Sequence, residues 1–98
     1  MRTIDWLHYD ALYAVISAHG FMSAPLDGGG LVFRHPGGAR LMFPAVERDE
    51  PVYRLHYGAT HTVMTNYGIM TGDAFDLALL QAAHRDRSEN LSPLPTRV

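Results

Sequence analysis

The chain of 98 residues is 47% apolar, 18% charged and 10% aromatic, a composition typical of one ordinary soluble domain. This length excludes a multidomain enzyme, and the apolar fraction argues against a wholly disordered chain. Its 8 basic residues are all arginine and face 10 acids, so the formal charge of −2 disfavours a strongly cationic nucleic-acid binder or a polybasic membrane protein.

The lack of cysteine and of a long apolar N-terminal segment excludes further classes of site and of cellular location. The sequence has no cysteine, which excludes disulfides, cysteine-type zinc sites and thiol catalysis. The N-terminal residues hold no apolar run long enough for a signal peptide or a membrane helix. We therefore expect a cytoplasmic protein that does not associate with membranes.

The first predicted element is a helix over residues 9–18, followed by Gly20, which suits the left-handed position after a helix end. Apolar side chains recur at the spacing of one core-facing stripe. These positions are Leu12, Val15 and Ile16. Residues 6 and 7 either extend this helix or form an apolar N-terminal arm, and the pattern leaves both open. A short strand is predicted next, over residues 21–24.

The clearest local signal is a hairpin, in which strands over residues 30–35 and 39–43 flank a Pro-Gly-Gly turn. A three-residue loop with Gly38 in the left-handed conformation places Arg34 opposite Arg40. We prefer it to a two-residue Gly-Gly loop, which would put Arg40 on the apolar face. Strand alternation then separates two faces. One holds Leu31, Phe33, Leu41 and Phe43, and the other holds Gly30, Val32, Arg34, Arg40 and Met42.

The second half of the chain predicts a loop, a strand and two helices. Residues 45–51 are acidic without apolar periodicity, as in a solvated loop, and residues 52–57 alternate as a further strand. Helices are expected over residues 59–67 and from Thr71 to about His84.

These elements amount to an α+β fold, a small antiparallel three-stranded sheet packed on helices along one face. A fourth short strand is left open. The sequence predicts a single domain over residues 1–84 and a flexible tail over residues 85–98, which hold two prolines and few apolar side chains.

Three segments in this order carry a resemblance to a known family. Residues 19–21 read HGF, residues 28–40 read GGGLVFRHPGGAR, and residues 58–75 contain GATHTVMTNYGI followed by TGDAF. Over about residues 9–80 the chain thereby resembles the HicA (YcfA-like) toxins, small messenger-RNA interferases with a fold like that of double-stranded-RNA-binding domains. The resemblance implies that fold, metal-independent RNA cleavage, and binding of RNA or of a HicB-like antitoxin.

The chain departs from the family pattern in three ways. The family's catalytic histidine falls on Gly30, the chain is slightly acidic where the family is usually basic, and the stretch between Pro44 and Gly58 is longer and acidic. Because metal-free RNA cleavage needs a group that accepts the 2′-hydroxyl proton, another histidine would have to serve. The candidates are His35, His56 and His61. Alternation places His35 on the face opposite Gly30, and the other two are expected to flank a junction between a strand and a helix.

The remaining candidate residues concern binding. Arg34 and Arg40 are like charges on one face, where a phosphate or a carboxylate between them would relieve their repulsion. Exposed arginines that splay into water are the more ordinary alternative. We assign Val32, Met42 and Tyr57 to the same binding surface. Tyr53, Tyr57 and Tyr67 could stack bases, although a core or interface role is the more common one. The spacing of His56 and His61 is not that of a zinc pair, so we expect no metal and no cofactor.

Three hypotheses remain from the sequence. The first is a HicA-like protein with impaired catalysis that binds RNA or an antitoxin-like protein through its sheet face. The second is an active, metal-independent endoribonuclease that uses a relocated histidine. The third is a protein-interaction module of phage or regulatory origin that reuses the fold and docks through its acidic loop. A homodimer is compatible with each of them.

Overall fold

A computed structural model describes the backbone of residues 2–91 and the side chains of residues 2–85. The elements are β1 (Thr3–His8), α1 (Tyr9–Ala18), β2 (Met22–Pro25), β3 (Leu31–Arg34), β4 (Arg40–Phe43), β5 (Pro51–Tyr53), α2 (Arg54–Asn66) and α3 (Gly72–Leu91). The strands form two antiparallel sheets, β2-β3-β4 and β1-β5. The predicted α+β class is confirmed, and the strands pair antiparallel as expected.

The hairpin has the predicted register. Arg34 pairs with Arg40 and Phe33 pairs with Leu41, across a turn in which the Gly38 N–H donates to the His35 carbonyl at 2.9 Å. Gly38 has a φ of 103°, the left-handed conformation that the three-residue loop requires. Phe33, Leu41 and Phe43 are buried on the inner face, as the alternation predicts.

The sheet arrangement differs from the prediction. Residues 6 and 7, expected either to extend α1 or to form an apolar N-terminal arm, belong to the strand β1. This strand pairs with β5 through Thr3↔Tyr53 and Ile4↔Val52. The third strand of the main sheet is therefore the short β2, and β5 belongs to a separate sheet. Extended backbone points Leu7 into the core at 0% exposure and leaves Trp6 at the surface.

Helix α2 begins earlier than predicted. The strand expected over residues 52–57 ends at Tyr53, and α2 starts at Arg54 instead of residue 59. Tyr53 and Tyr57 suit alternate strand positions, but a spacing of four residues suits one face of a helix equally well. In the helix, Leu55 points to solvent at 64% exposure, and the Thr60 hydroxyl donates to the His56 carbonyl at 2.8 Å.

Helix α3 begins where it was predicted and ends later. The Ala74 N–H donates to the Thr71 hydroxyl at 3.1 Å, which caps the helix start. Its core-facing side chains are Phe75, Leu79 and Ala82, and all three are buried. The helix continues to Leu91, so the predicted boundary between domain and tail lies inside it, and residues 92–98 of that tail lie outside the described residues.

The acidic segment before β5 is more than a solvated loop. Its acidic side chains are exposed, but the carbonyls of Glu50 and Arg48 accept the N–H groups of Tyr9 and Asp10 at 3.1 and 2.9 Å. Those N–H groups belong to the first turn of α1, which has no partner for them within the helix. The segment therefore acts as a backbone cap on α1.

The core lies between α1, the inner face of the main sheet, and helices α2 and α3. Its largest fully buried side chains include Tyr9, Phe33 and Phe75. In the part of the chain that the structure describes, no helix is long and apolar enough to cross a membrane.

Candidate binding site on the outer sheet face

The main sheet presents one face to the core and one face outward. The outward positions form two cross-strand rows, which we call the outer sheet face. They are Met22, Arg34 and Arg40 in the first row, and Ala24, Val32 and Met42 in the second. Four of these side chains are exposed, with Met22 at 77% and Met42 at 56%. The helices pack on the other side, so this face is open.

Arg34 and Arg40 lie directly opposite each other on this face, as predicted. Directly opposed residues have Cβ atoms about 5 Å apart, close enough for both guanidinium groups to reach one ligand. Within the described residues, neither arginine forms an ion pair; the ion pair there joins Arg48 to Asp10 at 3.4 Å. The two guanidinium groups therefore offer planar N–H donors to a carboxylate or phosphate.

Apolar side chains flank the arginine pair. Val32 lies between Ala24 and Met42 and is only 3% exposed, so it forms a closed floor. Met22 and Met42 stand above that floor on the two edge strands. Methionine adapts its shape to irregular partners, and Met and Arg are both enriched at protein interfaces. The outer sheet face thus combines two fixed charges with an adaptable apolar surface.

Gly30, onto which the resemblance to HicA toxins places a catalytic histidine, has no room for a side chain. A Cβ built there would overlap the Phe43 carbonyl oxygen and lie 3.4 Å from Leu26 Cδ1. The Gly30 carbonyl also accepts the Leu26 N–H at 2.8 Å, which holds the backbone in place. A histidine at this position requires a shift of β4, so close packing explains the glycine.

His35 lies on the core side of the hairpin, opposite to the arginine pair. Its ring centroid is 5.0 Å from that of Phe21, and its Nδ1 accepts the Gly37 N–H at 2.9 Å. The alternation had predicted this side. His35 therefore stabilises the turn and does not contribute to the outer sheet face.

His56 and His61 do not flank a junction between a strand and a helix: both lie within α2, which begins at Arg54 directly after β5. The His56 ring packs edge-on against Tyr9, Phe43 and Tyr53, with centroids 5.5 to 5.7 Å away. Burial lowers the pKa of His56 from its ordinary value. Because Phe43 points into the core, His56 lies behind the sheet and away from Arg34 and Arg40.

The second α2 histidine belongs to the contact between α2 and α3. The His61 ring lies 5.9 Å from Phe75 and 5.8 Å from Tyr57. The Tyr57 hydroxyl donates to Asp76 Oδ1 at 2.6 Å, and burial together with this bond raises the pKa of Tyr57 to about 12. Tyr57, assigned to the binding surface from the sequence, is thus placed between the two helices.

The tyrosines considered for base stacking do not lie together, and the described side chains form no metal site. Tyr53 ends β5 beside His56, whereas Tyr67 is 53% exposed at the end of α2, so the three tyrosines form no stacking platform. Among residues whose side chains are described, no group of three His, Asp or Glu side chains is arranged to hold a metal ion.

The sequence reasoning missed two features. Met22 and Ala24 complete the outer sheet face, and their spacing of two residues in a short strand was the available signal. The Tyr9 hydroxyl contacts His56 Nδ1 at 2.6 Å, and no local pattern indicates a pair so distant in sequence.

Comparisons of the chain with protein-family models, curated proteins and solved structures gave no match.

Proposed function

We propose that this protein is a HicA-like binding module with impaired catalysis, and that its outer sheet face binds an acidic protein partner such as a HicB-like antitoxin. The observation that carries the proposal is the Arg34–Arg40 pair on an open sheet face. Two like charges directly opposed are mildly unfavourable in the free protein, and a partner carboxylate between them removes that cost.

The order of the elements supports the HicA-like part of the proposal. A helix, three antiparallel strands and a following helix occur in the order that the resemblance implies, as α1, β2-β3-β4 and α2. Helix α3 contains Phe75 of the TGDAF segment, which also belongs to the resemblance, whereas the pair β1-β5 is an addition to that order.

The surroundings of the arginine pair favour a protein over RNA. Met22 and Met42 project beside it and offer contacts that an RNA backbone does not use. The formal charge of −2 also opposes long-range attraction of a polyanion. An acidic segment with apolar neighbours matches both the charges and the methionines.

The placement of the histidines supports impaired catalysis. The outer sheet face holds Met, Ala, Val and Arg, and none of these side chains accepts a proton near neutral pH. His35, His56 and His61 all lie on the core side or between helices. An active nuclease would need one of them to cross the sheet.

The proposal is tested by selecting displayed peptides on the wild-type protein alone and then measuring how the enriched peptides bind Arg34→Ala/Arg40→Ala. We expect enriched peptides that combine Asp or Glu with apolar residues, and binding that weakens with salt. The matched control is Arg54→Ala/Arg85→Ala, which removes two exposed helical arginines elsewhere and should retain binding. Peptides that bind the Arg34/Arg40 variant equally well would overturn the proposal.

RNA is measured in parallel with the same variants. A single-stranded RNA oligonucleotide is the probe. If it binds the wild type with a steep salt dependence, and that dependence is lost in Arg34→Ala/Arg40→Ala, the ligand of the outer sheet face is RNA and not a protein.

Catalysis is tested by induced expression in bacteria, with growth and total RNA integrity followed together. RNA decay in the wild type that is abolished by His35→Ala or His61→Ala would show an active nuclease and contradict impaired catalysis.

A further inference from the structure

Helix α3 is apolar on two sides, and only one of them faces the core. Phe75 and Leu79 are fully buried, whereas Leu77 and Leu80 are 56% and 52% exposed on the opposite side. The face of a surface helix opposite its apolar stripe normally carries polar and charged side chains, so two exposed leucines there depart from that pattern. The second side of α3 therefore has the character of an interface.

The exposed side is organised as one line of residues, which we call the outer stripe of α3. It consists of Asp73, Leu77, Leu80 and His84, all exposed. Their spacings of four, three and four residues place them on a single helix face. Trp6 of β1, 42% exposed, lies beside the stripe and lines a groove of about 240 Å³ with Leu80, Ala83 and His84.

From either end, the outer stripe of α3 has the same spacings and the same two central leucines. Its two ends differ: one carries the carboxylate of Asp73 and the other the imidazole of His84. If two copies of α3 pack antiparallel about a two-fold axis, Leu77 of one copy meets Leu80 of the other. The same axis brings Asp73 of each copy against His84 of the other, so the interface contains two equivalent Asp73–His84 contacts. A carboxylate opposite an imidazole is a favourable pair, and this self-complementarity is what a two-fold interface requires.

We propose that the outer stripe of α3, with Trp6 at its rim, is the surface on which a second copy of this chain docks, with the two α3 helices antiparallel. A partner of different sequence would bind Leu77 and Leu80 but would give no reason for Asp73 and His84 to lie at equal distances on either side of them. The stripe shares no residue with the outer sheet face, so this inference does not depend on the proposed function.

Dimerisation is tested by sedimentation velocity over a concentration series up to about 1 mM. We expect the wild type to form a dimer and Leu80→Glu to raise the dissociation constant at least tenfold, because it places a charge at the apolar centre. The matched control is Leu55→Glu, which changes a leucine of similar exposure on α2 and should leave the dimer unchanged. Circular dichroism verifies that both variants are folded.

A charge exchange tests the antiparallel arrangement itself. Asp73→His and His84→Asp each place like groups opposite each other and should weaken the dimer, whereas the double variant restores the pairing and should recover it. The single tryptophan provides a second readout, since burial of Trp6 shifts its emission to shorter wavelength as the concentration rises. A wild type that is monomeric at every concentration, or a dimer unaffected by Leu80→Glu, would overturn the proposal. Failure of the double variant to recover would overturn the antiparallel arrangement.

Discussion

The hydroxyl of Tyr9 lies 2.6 Å from Nδ1 of His56, across 47 positions of the sequence. The same hydroxyl oxygen accepts the Tyr53 N–H at 3.2 Å, so its single proton is available for donation to His56. With the Tyr9 hydroxyl as the donor, His56 is a neutral imidazole whose Nδ1 accepts the bond. One fully buried hydroxyl thereby ties the start of α1 to the end of β5 and the first turn of α2.

Removal of this hydroxyl should destabilise the fold. Tyr9→Phe leaves the Tyr53 N–H and His56 Nδ1 without their partner, and we expect the free energy of unfolding to fall by about 1–3 kcal/mol. Urea denaturation measures the change. Tyr13→Phe is the matched control, because Tyr13 is also buried and its hydroxyl bonds to none of the described residues. Equal losses in both variants would contradict the role of the Tyr9 hydrogen bonds.

Acid should destabilise the protein partly through His56. Burial lowers the pKa of His56 below its ordinary value of 6.5, so between that value and the lowered one the unfolded chain binds a proton that the folded chain does not. The contribution is therefore fully present above about pH 6.5 and is lost as the pH falls toward the lowered pKa. Protonation of Nδ1 also removes the acceptor for the Tyr9 hydroxyl.

The measurement is the urea midpoint from pH 7.5 to pH 5 for the wild type and for His56→Gln. The difference between the two curves isolates His56 from the other titrating groups. We expect the wild type to lose more stability on acidification than the variant. Parallel curves would show that His56 does not contribute.

Gly30 should tolerate no side chain. In Gly30→Ala the new Cβ meets the Phe43 carbonyl oxygen, and the free energy of unfolding should fall by about 1–3 kcal/mol. Gly58 is the matched control, because it lies inside α2 with nothing within 4 Å of a built Cβ. There, Gly58→Ala should stabilise the protein by about 0.5–1 kcal/mol. Thermal unfolding of both variants should thus show shifts of opposite sign, and a neutral Gly30→Ala would refute the close contact.

The arginine pair should limit stability in the free protein. Arg40→Glu places an opposite charge across from Arg34 and should raise the free energy of unfolding by about 1 kcal/mol at low salt. Arg40→Gln, which removes the repulsion without adding an attraction, should give an intermediate value. Since both effects are screened, they should shrink in about 1 M salt. An unchanged stability at low salt would indicate that the two guanidinium groups splay apart.

The parts of the fold that the sequence predicted correctly are those decided by neighbours along the chain. The Pro-Gly-Gly turn with Gly38 in the left-handed conformation sets the register from Arg34 to Arg40, and alternation then sorts the apolar and charged faces. The extent of α1 follows from one apolar stripe and a glycine stop. The arginine pair, the centre of the proposed site, could be predicted for the same reason.

The parts that were wrong or missed depend on contacts between distant segments. Residues 3–8 become a strand because β5 supplies a pairing edge, and residues 54–57 become helical because His56 and Tyr57 find buried partners there. Met22 reaches the outer sheet face through the pairing of β2 with β3.

The α+β class, the hairpin register and the two faces of the hairpin follow from the sequence alone, because turn geometry and side-chain alternation act over a few residues. Tertiary contacts are needed to form the second sheet, to start α2 at Arg54 and to place His35, His56 and His61 away from the arginines. Short apolar runs satisfy both strand and helix patterns, and burial against a distant partner is what selects one of them.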